Sequence, residues 1–464
     1  MDLSSGFRKG EDSNGLSSFM ERAERFKTKS PTVYDQEYLI GFRGFLVIQA
    51  FLWVFLQTFV PVAVVASDDV TGEAYQLGLR KSLSVFFWNE YFLYGAVVFL
   101  SARSIAIPYI RNPKKEIVAR SVMTRGIALW FPIAVSLAII KIAFTATGGL
   151  DPVDGYVTVF KQATNNLSLT VPYMIPNTLA YFNSVFDMLW TTHEFELQAG
   201  STAFPSQTMW IVNCIYSQSY TVYLTMIIIP FTRRKWRVQG AFFFVITAWW
   251  CESWAWYSIT GLLFCDMVMT MDFKAAAQRG IPIHVPVLGR LQRKNGVAYR
   301  IPVWVPAGLC MIAGYTMQFL WVAWRPDLFA EEWKYHSGLY YTAGLNYLYE
   351  TSHTAARDDI YLILLGFFTL LESYDFMQRF FANRFFVFLG KRSLSYFLVQ
   401  STMIYLVGIK TFQSMRGHNS FPGSVIVSFI TSLLVTIPVA EAFYRIIQEP
   451  SKVLAHKSYD FITS

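Results

Sequence analysis

The sequence predicts an all-α, polytopic integral membrane protein with about ten transmembrane helices and both termini in the cytosol. Three observations predict it. Hydrophobic residues make up 54% of the 464 and charged residues only 15%, whereas a soluble domain carries nearer a quarter charged. Apolar runs of roughly 20 residues, the length that crosses about 30 Å of hydrocarbon, recur along the chain. The basic residues gather in alternate intervals between those runs, as the positive-inside bias requires.

The runs place spans at 41–66, 84–101, 126–145, 207–231, 239–253, 255–271, 302–323, 359–379, 393–411 and 424–445. The fifth and sixth share one stretch, QGAFFFVITAWWCESWAWYSITGLLFCDMVM, read as a tight hairpin around Glu252 and Ser253. With the N-terminus inside, the inner segments (1–40, 102–125, 232–238, 273–301, 380–393, 446–464) hold 27 Lys and Arg. The outer segments (67–83, 146–206, 324–358, 412–423) hold 7 over a similar total length. The organisation is then a polar cytosolic segment over 1–40, a multi-helix membrane domain over 41–451 and a cytosolic tail over 452–464. The first 40 residues are polar and charged, so no cleavable signal peptide is expected. The 26 Tyr and 14 Trp suit the headgroup level. The location implied is a multi-pass protein of an endomembrane or the plasma membrane, with the lipid bilayer as its surroundings.

The net charge of +8 is no sign of a nucleic-acid partner, because the basic residues lie in loops between apolar spans rather than on one face. Cys214, Cys251, Cys265 and Cys310 all sit in apolar runs without a CxxC partner, which argues against metal sites and disulfides. Within the outer loop 146–206, TLAYFNSVFDMLW is apolar at helical spacing and suits a membrane surface. The same loop holds Asn166-Leu167-Ser168, an N-glycosylation acceptor pattern.

Ionisable residues inside spans mark functional sites by default; here they are Glu90, Lys141, Glu252, Asp266, Glu372, Asp375, Lys410 and Glu441. Glu90 and Lys141 fall at depths that differ by about 3 Å. They are therefore expected either to pair across antiparallel spans or to form a polar pocket. Arg43 and Arg125 sit at the cytosolic mouths of spans one and three.

Four stretches carry a family likeness: YLIGFRGFLVIQAFLWVF at 38–55, FLSARSIAIPYI at 99–110 with TRGIALWFP at 124–132, RFFVFLGKRSLSYFLVQ at 384–400, and AFYRIIQEPS at 442–451. In that order they resemble the acyltransferase type 3 family, and most closely its fungal branch, some of whose members serve biosynthetic pathways. The resemblance implies a membrane O-acyltransferase that moves an acetyl or other short acyl group from acyl-CoA to a hydroxyl of a small molecule or glycan. Acyl-CoA would be a co-substrate, with no permanently bound cofactor. The chain departs from the family at four positions. Val54 stands where the family has a catalytic His, Ala128 where it has a second Arg, Gln400 where it often has His, and Ile215 near an expected Glu.

Acyl transfer needs the donor gripped, the hydroxyl proton taken and the oxyanion stabilised. Arg43 and Arg125, with Lys114, Lys115 and Arg120 nearby, suit the phosphates of acyl-CoA. Candidates for the base are His193, beside Glu194 and Glu196 in LWTTHEFE, and the carboxylates Glu90 and Glu372. The alternative function is a non-catalytic relative acting as a transporter or membrane binding partner.

Overall fold

The structure, a computed structural model, describes residues 36–64, 72–146, 156–167, 169–191, 197–251, 253–282, 300–328 and 356–464. The segment 1–35, Ser168, His193 and Glu252 lie outside the described residues. What is described is almost wholly helical. Its sheet is a two-residue antiparallel pair, β1 (Ile281–Pro282) with β2 (Arg300–Ile301).

In chain order the principal helices are α1 (Glu37–Phe59), α2 (Ala74–Phe87), α3 (Glu90–Arg111), α4 (Lys115–Ala146), α5 (Tyr156–Thr164) and α6 (Thr178–Trp190). There follow α7 (Trp210–Ile228), α8 (Arg234–Trp250), α9 (Ala255–Thr270), α10 (Phe273–Arg279), α11 (Trp304–Gln318) and α12 (Asp358–Ser373). The last six are α13 (Asp375–Phe381), α14 (Arg384–Lys391), α15 (Ser393–Met403), α16 (Ile409–Arg416), α17 (Phe421–Phe443) and α18 (Glu449–Thr463). Every apolar run read from the sequence contains a helix. Five helical stretches are long and apolar enough to cross a membrane, namely Glu37–Phe59, Ala74–Arg111, Lys115–Ala146, Trp304–Trp324 and Phe421–Thr463.

The eighth run differs from the expectation. It breaks at Tyr374, where the backbone turns extended, and α12 and α13 meet at 101°. The bend lets α13 pack against α1, where Phe381 meets Gly41. The hairpin between the fifth and sixth runs forms as expected, with α8 and α9 packed together on either side of residues 251–254. TLAYFNSVFDMLW is α6, which buries Val185, Met188 and Leu189 and exposes Leu179, Phe182, Phe186 and Trp190.

Close packing follows from small residues, which let helix backbones approach where lipid gives no hydrophobic push. A Cβ on Gly44 would lie 2.0 Å from the Phe386 carbonyl oxygen, one on Gly41 1.7 Å from that of Phe381, and one on Gly390 1.8 Å from that of Ile40. The glycines of two of the four resembling stretches, Gly44 and Gly390, are thus face to face. Ser424, Ser428, Ser432 and Thr436 make a buried stripe along α17, which packs on α15 and α16. The core between these helices is aromatic: Phe99 stacks on Phe368 at 4.0 Å, and Phe42 meets both Phe368 and Phe381 edge-on.

Candidate functional site

Arg43 and Arg125 open onto one cavity of about 490 Å³, within the usual size of small-molecule sites. Its walls come from α1, α3, α4, α7, α14, α15 and α18. Gly44 and Gly390 hold α14 against α1, so Arg43 and Lys391 flank the same crossing. Arg125 is held from two sides: its Nη2 donates to Ser101 Oγ at 2.7 Å and to the Ile215 carbonyl at 3.3 Å. Neither Arg43 nor Arg125 has a carboxylate partner among the described residues.

The cavity has two kinds of wall. Arg43, Arg125, Lys391, Lys452 and His456 supply cationic or protonatable groups, and Lys391 and His456 are exposed, so this end meets solvent. Away from it the lining is Leu46, Val47, Trp53, Leu93, Val97, Ile211 and their apolar neighbours. No Asp or Glu belongs to the described lining. Lys452 is offset by Glu449, but Arg43 and Arg125 have no carboxylate partner among the described residues; cations so placed repel one another, and an anion relieves that repulsion.

The terminal stretch explains how the tail reaches the cavity. Tyr444–Gln448 forms a π turn between α17 and α18, a device that re-aims side chains near functional sites. It turns Gln448 inward, where Ser395 donates a hydrogen bond to its Oε1. Glu441 is gripped by Arg392 and Arg445, and Arg392 lies over the Tyr444 ring at 4.7 Å. Glu449 accepts from Lys452 at 2.7 Å. The AFYRIIQEPS stretch is thus a clasp that sets Gln448, Lys452 and His456 at the mouth.

The four positions where the sequence departs from the resembling family, Val54, Ala128, Ile215 and Gln400, all line this cavity. No protein-family model matches the chain, and no curated protein or solved structure gives a significant match. Residues from all four of the stretches quoted above, among them Arg43, Ser101, Gln400 and Gln448, line the one cavity.

The expected bases do not join them. Glu372 is sealed between helices: its Oε1 lies 2.7 Å from Arg103 Nη1, both side chains are 1% exposed, and Tyr38 donates to its Oε2 at 2.7 Å. It ties α12 to α3 and α1, and it does not line this cavity. Glu90 also lies away from the lining. Its cationic neighbour is Arg357, not Lys141, so the expected pairing of Glu90 with Lys141 does not form. Arg357 belongs to a buried network: it binds Asp359 through two nitrogens, at 3.1 and 2.8 Å, and lies over the Tyr91 ring. Asp359 accepts from Gln318 at 2.6 Å, and Gln318 accepts from Asn89 at 2.9 Å. His193 lies outside the described residues.

Two more expectations change. Asn166 is 1% exposed, and its amide donates to the Gln57 and Thr58 carbonyls, closing the C-terminal end of α1. An amide so used is not open to a glycan on the folded chain. Lys114 and Lys115 are exposed outside the lining, and Arg120 instead reaches Asp460 at 3.5 Å on the surface. The other basic residues that reach the cavity are Lys391, Lys452 and His456, which the sequence places in a loop and the tail. A signal existed for two of them: Lys452 and His456 are four apart after Glu449-Pro450, on one face of a helix.

Proposed function

We propose that the chain is a membrane-bound O-acyltransferase, taking an acetyl or other short acyl group from acyl-CoA to a hydroxyl of a small molecule or glycan. The observation that carries the reading is the meeting of Arg43 and Arg125, from separate helices and without carboxylate partners, on one cavity. Guanidinium groups offer paired donors to phosphate oxygens. On this reading ten spans cross the membrane, both termini are cytosolic, and the basic mouth faces the cytosol, where acyl-CoA resides. The phosphates sit at the mouth and the pantetheine arm runs inward along the apolar wall.

The reaction is a substitution at the thioester carbon. The hydroxyl oxygen bonds to the carbonyl carbon, the carbon–sulfur bond breaks, and CoA leaves as the thiol with the hydroxyl's proton. The chain's part is to grip the anionic end, keep water from the thioester and hold the acceptor beside it. The experiment is incubation of purified protein with labelled acyl-CoA. Release of the label to water or to an added hydroxyl acceptor supports the enzyme; intact acyl-CoA in the presence of bound protein refutes turnover.

A specific observation favours a second reading. The described lining holds no carboxylate, and its one imidazole, His456, is at the exposed mouth. A transporter or a binding partner for an anionic amphiphile needs the basic mouth and the apolar wall but no base. Binding of acyl-CoA without turnover selects this reading.

A further inference from the structure

Helix α15, 11 residues long, begins at the cavity: Ser393 and Leu394, its first two residues, line the wall. The first N–H groups of a helix have no partner inside it, and here no other group supplies one. Arg392, the N-cap residue, gives no side-chain cap and turns its guanidinium away to Glu441. The N–H groups of Ser393, Leu394 and Ser395 meet no acceptor among the described residues.

A second group converges on the same place independently. Gln448 comes from the π turn before α18 and is 6% exposed. Ser395 donates to its Oε1, which pins the carboxamide beside the first turn of α15. Its Nε2 is left as a donor without a partner among the described residues. That nitrogen is reachable from the cavity that Gln448 lines, whereas the partnerless polar atoms of Trp53 and Gln400 are sealed.

Two cations flank the site. Gly390 lies against Ile40 and Gly44, so the corner between α14 and α15 sits beside Arg43, and Lys391 follows that contact directly. Both Arg43 and Lys391 line the cavity, and neither makes an ion pair among the described residues. Every group offered here is a donor or a positive charge: backbone N–H groups at the positive end of a helix dipole, a carboxamide N–H, a guanidinium and an ammonium. Such a set suits an anion with several acceptor oxygens, and no carboxylate of the described lining fills it.

We propose that the N-terminus of α15, with Gln448, Arg43 and Lys391, cradles one phosphate group of the ligand. The inference rests on the acyl-CoA reading for the identity of that ligand. It adds the α15 N-terminus and Gln448 to the arginines as groups that hold it.

The test puts a carboxylate into the cradle from either side, in the full chain in detergent. Ser393→Asp places one in the first turn of α15. Gln448→Glu replaces Nε2 by an oxygen and keeps the oxygen that Ser395 binds. Without ligand, both variants are expected to melt above the unmutated chain, because the added charge meets the helix dipole and the unpaired cations. Both are expected to bind CoA at least about tenfold more weakly, as loss of a charge-assisted bond predicts. Unchanged CoA affinity in both variants overturns the proposal. A lower melting temperature in both also overturns it, because a site built for an anion would welcome the carboxylate. Inorganic pyrophosphate separates the cradle from the identity of its ligand. A chain that binds pyrophosphate but not CoA, and loses it in both variants, keeps the cradle and refutes acyl-CoA. A chain that binds neither refutes both.

Discussion

Replacing Glu372 by Gln removes one charge from the buried pair with Arg103 and nearly nothing else. The two groups are 2.7 Å apart and 1% exposed, so water cannot screen the guanidinium that remains. Breaking a buried pair by deleting one partner costs about 3–5 kcal/mol, mostly as the penalty of the uncompensated charge. That is a large part of a typical total stability of about 5–15 kcal/mol. Glu372 also accepts from Tyr38, and a charge-assisted bond contributes about 1.5–3 kcal/mol; Tyr38→Phe should therefore destabilise by less than Glu372→Gln. In the double variant Arg103→Met with Glu372→Gln, no charge is left stranded, and most of the loss should return, giving a coupling well above the ~0.5 kcal/mol expected of independent sites. The assay is denaturant unfolding of the detergent-solubilised chain, followed by tryptophan fluorescence. An additive cycle, or a Glu372→Gln chain as stable as the unmutated one but unable to turn over a thioester, would refute the structural assignment and restore Glu372 as a base.

Other outcomes follow from the same geometry. Gly44→Val and Gly390→Val place carbons within about 2 Å of backbone oxygens that cannot swing away; each should destabilise by at least the ~1–3 kcal/mol of ordinary overpacking, read by the same unfolding assay. Asn166→Ala strands the Gln57 and Thr58 carbonyls and should cost about 1–3 kcal/mol, while mass spectrometry of the unmutated protein should find no glycan on Asn166. For the topology, Ala163→Cys, exposed on α5, should react with an impermeant thiol reagent in intact cells that carry the chain in the plasma membrane, in a Cys251→Ser, Cys310→Ser background. Reaction only after permeabilisation would invert the assigned orientation.

Helix positions were legible because hydropathy reports which backbone lies in an apolar setting, and each apolar run does hold a helix. The bend at Tyr374 was not, since nothing in SYDF marks a break that tertiary packing of α13 against α1 imposes. The depth argument for Glu90 and Lys141 fixed height along the helices but not direction around them, and Arg357 took the place beside Glu90. Glu372 looked like a base because its partner, Arg103, lies 269 positions away in sequence. The Asn166 triplet recorded a pattern without its burial. In contrast, Arg43 and Arg125 were legible as a pair facing one cavity, because both stood at the same end of their apolar runs. Lys391, Lys452 and His456 were hidden by their place in segments read as loop and tail.

Calorimetric titration of CoA into the detergent-solubilised full chain tests the central claim most directly. CoA should bind, and the binding should weaken with salt. Arg43→Lys should weaken it although the charge is kept, and Arg125→Ala should weaken it further, each loss corresponding to about 1.5–3 kcal/mol or roughly tenfold to a hundredfold in affinity. A folded, unmutated chain that binds no CoA would contradict it.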